Sequence, residues 1–177
     1  MKFSYSWLCD HLETDKNATE IGDALTNLGL ELESLTDYSS YSKFVVATIK
    51  DFHKHPNADR LNICTVDDGT KTYQVICGAN NVKKGLKGIF AKDGMYIPGT
   101  QIYLKKGKIR GEISEGMLLS ERELNLSDDH DGIIELSDNF ENGTSAIDAL
   151  KLNDPVFEIG ITPNRGDCLG IRGVARD

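Results

Sequence analysis

The sequence predicts a mainly β protein with some α-helix, in which a small barrel is inserted into a discontinuous α+β domain formed by both termini. The barrel is predicted from many short apolar runs in residues 39–147 and from glycine spacing: seven of the 17 glycines lie between residues 85 and 116, where strands would turn or bend. Many short strands with little helix are typical of a closed barrel. Five or six strands fit the five-stranded oligonucleotide/oligosaccharide-binding (OB) barrel, with an SH3-like barrel or a small sandwich as alternatives.

The discontinuous domain is predicted from size. Residues 1–38 and 148–177 each contain one candidate helix and one candidate strand, and each is too small to bury a core of its own. We therefore expect the two terminal segments to fold together, with residues 39–147 forming the barrel between them.

In the first segment, Asn17 and Glu20 have the spacing of a helix capping box. Apolar residues at helical spacing follow, and Gly29 stands where a glycine would end the helix. The alternating residues 30–33 then predict a strand.

In the barrel segment, residues 44–49 form a β-branched and apolar strand candidate. Two further candidates flank Asp68-Gly69, which predicts a hairpin. These two strands are predicted at 61–66 and 73–77, and the remaining barrel strands at 88–91, 101–104 and 117–119.

The last segment predicts a short helix over 145–151 and a strand over 157–161, and then a chain break at Pro163. Asp167 is predicted to cap a final helix whose apolar positions are Leu169, Ile171 and Val174. That helix is cut off at the end of the sequence, so we expect the chain to be part of a longer protein.

Composition and motifs argue against several classes of protein. The chain has 39% hydrophobic and 27% charged residues and no apolar run of membrane-spanning length, and its start is too polar for a signal peptide. We therefore expect a cytoplasmic protein. Its four cysteines form no C-x-x-C pair, and we expect free thiols and no bound metal. No nucleophile, base or phosphate-binding motif forms a catalytic constellation, so we expect no catalysis by this chain.

Charge patterning is the main functional signal. The chain carries a net charge of −8, yet residues 83–110 hold eight cations against Asp93 alone, and ten acids follow between Glu112 and Glu141. A basic block within an acidic protein is a candidate contact surface for a polyanion. The alternative is a solvated lysine-rich rim of a hairpin. The cations are Lys83, Lys84, Lys87, Lys92, Lys105, Lys106, Lys108 and Arg110.

Four separated strings, at residues 55–61, 75–82, 98–99 and 108–120, occur in an order that resembles the tRNA-binding domain family. The resemblance covers about residues 40–147 and implies an OB fold that binds tRNA. The flanking residues 1–8 and 161–169 resemble the corresponding parts of bacterial phenylalanyl-tRNA synthetase β subunits.

This resemblance implies an α2β2 synthetase that uses ATP and magnesium to join phenylalanine to tRNA, with the α subunit and tRNA as partners. It places aminoacylation in the α subunit and editing further along β, so this chain would be an accessory tRNA-binding region. The alternative is an interaction module that docks other domains or subunits and does not bind RNA.

The resemblance associates the barrel face around the Ser-Glu-Gly-Met string with RNA. By position, this string places Ser114 and Met117 beside the basic residues. The candidate RNA-binding residues are Lys83, Lys84, Lys87, Lys105, Lys106, Lys108, Arg110, Ser114 and Met117. Tyr96 and Tyr103 are candidates for base stacking, with burial in the core as the alternative. His55 is predicted to form part of a loop.

Overall fold

A computed structural model describes all residues from 1 to 177. The chain divides into two units: Met1–Ser40 with Lys151–Asp177, and Tyr41–Leu150. The predicted terminal segments end at residue 38 and begin again at residue 148. None of the helices has the length and apolar character needed to span a membrane.

The terminal unit is a three-stranded antiparallel sheet with helices. Its strands lie in the order β1-β12-β2, and Phe3 and Phe157 stack across the first pair with ring centroids 5.3 Å apart. The core also contains Leu8, Leu25 and Ile171. The elements of this unit are β1 (Lys2–Ser4), α1 (Tyr5–Cys9), α2 (Ala18–Asn27), β2 (Leu32–Thr36), β12 (Val156–Ile159) and α4 (Ile171–Arg176).

The helix predicted after residue 17 is confirmed as α2. The Asn17 side chain accepts a hydrogen bond from the Glu20 backbone N–H, and the Glu20 carboxylate accepts one from the Asn17 N–H. Gly29 follows the helix with φ of 83°. Strand β1 was missed because its three residues are too few to show an alternating pattern.

The predicted cap of the last helix is wrong. Asp167 lies in a separate 3₁₀ turn, Gly166–Cys168, and α4 begins at Ile171 with Gly170 as its N-cap. The Asp167 carboxylate pairs with Arg165 instead of capping the helix, and Leu169 is 71% exposed. A local salt bridge has therefore replaced the expected capping interaction.

The second unit contains a nearly closed five-stranded antiparallel barrel, which confirms the predicted fold class. The strands lie in the order β11-β6-β3-β4-β5. The sheet edges meet where the Glu115 N–H donates to the Gln74 carbonyl at 2.9 Å and the Ile76 N–H donates to the Ser114 hydroxyl at 3.1 Å. The barrel strands are β3 (Val45–His55), β4 (Ala58–Asp67), β5 (Thr72–Cys77), β6 (Lys87–Lys92) and β11 (Gly116–Leu118).

Strand β3 is longer than predicted. Its first half pairs with β6, and after a register shift near Ile49 the strand continues paired with β4 as far as His55. Residues 51–54 are exposed and include one apolar residue, Phe52, so they lack the apolar run used for the prediction. Such bulges bend a strand and allow it to belong to both sides of a barrel.

Two small hairpins lie between β6 and β11. The first pairs β7 (Tyr96–Ile97) with β8 (Ile102–Tyr103), and the second pairs β9 (Gly107–Ile109) with β10 (Glu112–Ser114). A helix, α3 (Ala146–Leu150), ends the unit. The barrel core contains Ile49, Cys64, Val66, Tyr73, Val75, Phe90, Leu118 and Ile133.

Because the barrel has its own buried core, residues 41–150 expressed alone should unfold in a single cooperative transition. Residues 1–38 expressed alone should show none, because their sheet needs β12 from the other terminus. Circular dichroism during urea titration measures both. A cooperative transition in the 1–38 peptide would contradict the expectation that the terminal unit needs both ends of the chain.

Candidate nucleic-acid interface

The basic segment, continuous in sequence, is divided between two places in the barrel unit. Lys83, Lys84 and Lys87 line a depression beside the start of β6 together with Glu135 and Asp138. Lys105 and Lys108 line a different depression, formed by the segment from β8 to β11. The candidate residues are therefore two groups with different surroundings.

The first group is engaged within the protein. The Lys83 ammonium lies 2.6 Å from the Glu135 carboxylate. Lys87 donates hydrogen bonds to the carbonyls of Asp138 and Phe140 at 2.9 and 2.5 Å. Lys84 forms only a 4.0 Å pair with an exposed carboxylate. The Lys87 head group thus stabilises a loop, and of the three lysines Lys84 is the most available to a ligand.

The second group is mostly unpaired. Lys105, Lys108 and Arg110 form no ion pair in the structure. Lys106 lies 2.6 Å from Glu115, and this hydrogen bond lowers the pKa of the Glu115 carboxyl. Three unpaired cations within six residues produce a local positive potential on a protein whose overall charge is negative.

Lys105 and Lys108 border an apolar depression of about 240 Å³. Ile76 and Met117 contribute apolar surface, and Lys105 and Lys108 supply the charge. An apolar floor with a cationic rim can contact both the bases and the phosphates of a nucleic acid. The residues that line the depression are Ile76, Leu104, Lys105, Gly107, Lys108, Ile109, Ser114, Gly116 and Met117.

Ser114 lies in this depression, but its hydroxyl already has protein partners. The Oγ accepts a hydrogen bond from the Ile76 N–H at 3.1 Å and donates one to the Gly116 carbonyl at 3.0 Å. The residue is 7% exposed. Ser114 therefore joins β10 to β5 and shapes the depression, whereas Met117 presents its side chain to it.

The two tyrosines lie on the surface, which excludes the core alternative. Tyr96 is 45% and Tyr103 is 67% exposed, and their ring centroids lie 5.2 Å apart. Ile102 beside them is 54% exposed. The β7–β8 hairpin thus presents an aromatic and apolar surface a few residues before Lys105.

The strand connection at residues 55–58 is a tight turn between β3 and β4. His55, predicted as a loop residue, is buried at 4% exposure, with its ring Nε2 3.0 Å from the Ile109 carbonyl. The turn therefore contacts the tip of the β9–β10 hairpin, a relation that the sequence did not indicate.

The cysteines of the barrel are structural. Cys64 and Cys77 are buried, and burial raises the pKa of the Cys64 thiol to about 12. In the terminal unit, Asp167, Cys168 and Asp177 place ligand-type atoms close together. The Arg165 guanidinium lies among them, 2.6 Å from Asp177, and supplies the positive charge there.

Comparison with known proteins connects this geometry to a family. Residues 44–145 match the family model described as a putative tRNA binding domain. The chain belongs to the tRNA-binding domain family. This result confirms the resemblance drawn from the four strings.

The similar proteins carry consistent names. The phenylalanine–tRNA ligase beta subunits of Brucella abortus and Bartonella henselae are 51% and 52% identical to the chain over 178 residues. Each match covers 100% of this chain and 22% of the relative, so the chain spans about one fifth of their length. A MetRS-related protein from Pyrococcus horikoshii has 22% identity and a TM-score of 0.43, over 58% of this chain and 87% of that one.

Several residues at this site were not predicted from the sequence. Leu104 and Ile109 line the depression, yet as isolated aliphatic residues they gave no signal distinct from core positions. Asn57 was not among the candidate residues, although its side-chain amide donates to the Arg110 carbonyl at 3.2 Å. The position of Asn57 in the fold could have indicated a role. It lies in the connection after the first barrel strand, and the connections after the first and fourth strands of an OB barrel flank its binding face.

Proposed function

We propose that the chain is the tRNA-binding accessory region of a phenylalanyl-tRNA synthetase β subunit. The observation that carries the proposal is the depression bordered by the unpaired Lys105 and Lys108 and floored by Met117, in a domain of the tRNA-binding family. The names of relatives that match along the whole chain support the synthetase assignment.

Binding would begin with the phosphate backbone. Lys105, Lys108 and Arg110 neutralise phosphates and release condensed counterions, which favours binding entropically. Lys106 joins them when it leaves Glu115, at low cost because exposed ion pairs are weak. Lys83, Lys84 and Lys87 contribute less, since Lys83 and Lys87 already have partners.

The bases of the RNA would add contacts that its phosphates cannot make. Tyr103 and Tyr96 offer exposed ring faces, and stacking of an unpaired base on such a ring contributes about 1–3 kcal/mol. Met117 gives the depression a flexible apolar surface that adapts to a base or ribose. Ser114 acts by holding β10 in place.

The whole synthetase would supply the chemistry. We expect an α subunit partner in an α2β2 assembly, ATP and magnesium at a site outside this chain, and a cytoplasmic location. The 177 residues themselves bind and orient tRNA.

The test is the triple variant Lys105→Ala, Lys106→Ala, Lys108→Ala. The parent chain should bind tRNA with a dissociation constant on the order of 10⁻⁴ to 10⁻⁶ M and a slope of log K against log salt of roughly −2 to −4. Loss of three phosphate contacts should flatten the slope by about 2 and weaken binding to every RNA alike. Fluorescence anisotropy over a salt series measures both quantities.

A matched control removes Lys2, Lys16 and Lys151, three exposed lysines of the terminal unit. It changes the net charge equally and should retain the parent slope. If the first variant also retains the parent affinity and slope, the basic surface does not bind RNA. The alternative function, docking of other synthetase domains or subunits, would then account for the barrel.

A further inference from the structure

We propose that His55 and Asn57 are positioning residues that hold the cationic β9–β10 hairpin in its binding position, an inference that rests on the proposed tRNA-binding function. The hairpin carries Lys108 and Arg110, and its tip contacts the β3–β4 turn through two hydrogen bonds. Neither residue needs to touch RNA to act in this way.

The hairpin has little support of its own. Each of its strands has three residues, and all three residues of β9 are exposed. Two-stranded hairpins are marginally stable in water without packing. Gln74 and the Ser114 hydroxyl hold β10 to the barrel, and Ile113 of β10 pairs with Lys108, but neither barrel contact is made to β9 itself or to the hairpin tip. The β9 strand and the tip therefore depend on contacts from elsewhere.

Those contacts come from the β3–β4 turn. The Asn57 backbone N–H donates to His55 Nδ1 at 3.0 Å, so Nδ1 is the acceptor nitrogen of the ring. The proton of a neutral ring then lies on Nε2, which donates to the Ile109 carbonyl at 3.0 Å. The Asn57 side-chain amide donates to the Arg110 carbonyl at 3.2 Å. Two consecutive carbonyls at the hairpin tip are thus held.

These hydrogen bonds hold the part of the backbone that carries the charges of Lys108 and Arg110. Arg110 and Gly111 form a two-residue turn in which both have positive φ, 50° and 100°. A non-glycine residue in this conformation is strained, and the hydrogen bond to its carbonyl helps to hold it there. Lys108 and Arg110 flank the held Ile109. Fixing this backbone before binding lowers the ordering cost that binding would otherwise carry.

Two conservative variants of His55 in the 177-residue chain separate the contacts. His55→Gln places an amide nitrogen near the Nε2 position and can still donate to Ile109. His55→Asn places an oxygen near the Nδ1 position and retains the contact with the Asn57 N–H, but it loses the hydrogen bond to the Ile109 carbonyl of the hairpin. Asn57→Ala removes the Arg110 contact and leaves the backbone N–H to His55 in place.

We expect His55→Asn and Asn57→Ala to raise amide hydrogen exchange at residues 108–113 about tenfold and to weaken tRNA binding about threefold to tenfold. The salt slope should stay at the parent value because no charge is removed. Exchange in β3, β4 and β6 should not change. His55→Gln should stay close to the parent in both hydrogen exchange at residues 108–113 and tRNA affinity. A general loss of stability would not predict this difference between the two His55 variants.

The outcomes distinguish the two proposals. If the parent binds tRNA and all three variants match it in exchange and affinity, the positioning role is wrong. If exchange rises in His55→Asn but affinity does not fall, the contact orders the hairpin without assisting RNA and the inference is again wrong. If the parent itself does not bind tRNA, the proposed function fails, whereas unchanged exchange in the variants overturns the positioning contact independently.

Discussion

Replacing Asp68 with Ala should lower the free energy of unfolding of the barrel unit by about 3–5 kcal/mol, the cost of breaking a buried ion pair from one side. Asp68 is 1% exposed, and its carboxylate accepts hydrogen bonds from the Thr70 and Lys71 N–H groups and from the Tyr73 hydroxyl. The Lys92 ammonium lies 2.6 Å away. The lower end of the range is expected because the Lys92 side chain is 34% exposed and can reach water.

The adjacent carboxylate provides the matched control. Asp67 pairs at 3.0 Å with Lys50, but both side chains are more exposed, so Asp67→Ala should cost about 1 kcal/mol or less. Urea titration of both variants at neutral pH measures the difference. Equal effects of the two substitutions would show that the buried network around Asp68 stabilises the barrel no more than the exposed Asp67 pair does, and the prediction would be wrong.

The pH dependence of this effect follows from the pKa of Asp68. Burial alone would raise the pKa, but hydrogen bonds from Lys92, Thr70 and Lys71 outweigh it and hold the pKa well below its ordinary value. Stability from a lowered carboxyl pKa is present above the unfolded-state pKa, about 3.9, and is lost as the pH falls through the folded-state value. The difference between parent and Asp68→Ala should therefore be constant above about pH 5 and shrink in stronger acid.

The Asp68 network also shows how far the sequence could be interpreted. Asp68-Gly69 predicted the hairpin between β4 and β5, because turn chemistry is local. The same residue pairs with Lys92 on β6, a member of the predicted basic segment. That pairing depends on how the barrel closes and has no signature in local spacing.

The candidate site shows the same separation of local and tertiary information. The cations could be predicted because charge is visible in a sequence. Their division into two groups could not be predicted, because the order of the strands in the barrel determines it. The β9–β10 hairpin was missed as a strand pair because each of its strands has only three residues, too few to show an alternating pattern. Contacts from the β3–β4 turn and from β5 support it instead.

Gly116 is the position where a single methyl group should do the most damage near the site. A Cβ there would lie 2.4 Å from the Phe90 ring and 2.7 Å from the Ala91 carbonyl oxygen. Gly116 pairs with Lys92 where β11 meets β6. The Phe90 ring is fully buried against Tyr73, at 5.0 Å between centroids, and has little room to move. Gly111, by contrast, serves its turn through a positive φ.

We expect Gly116→Ala to cost about 3 kcal/mol, at the upper end for added volume in a packed core. Displacement of β11 should also shift Met117 and so alter the depression that borders Lys105 and Lys108. Urea titration gives the stability. The control Gly94→Ala tests backbone conformation alone, since Gly94 has φ of 84° and open space around it, and should cost about 1–2 kcal/mol.

A double-variant cycle isolates the clash. Phe90→Leu removes the ring atoms that the new methyl group would meet, so Gly116→Ala should cost less in that background than in the parent chain. A coupling of about 1 kcal/mol or more in this direction is expected for residues in direct contact. Additive effects would mean that the cost arises from the Gly116 backbone rather than from the Phe90 ring, and the close-approach explanation would be wrong.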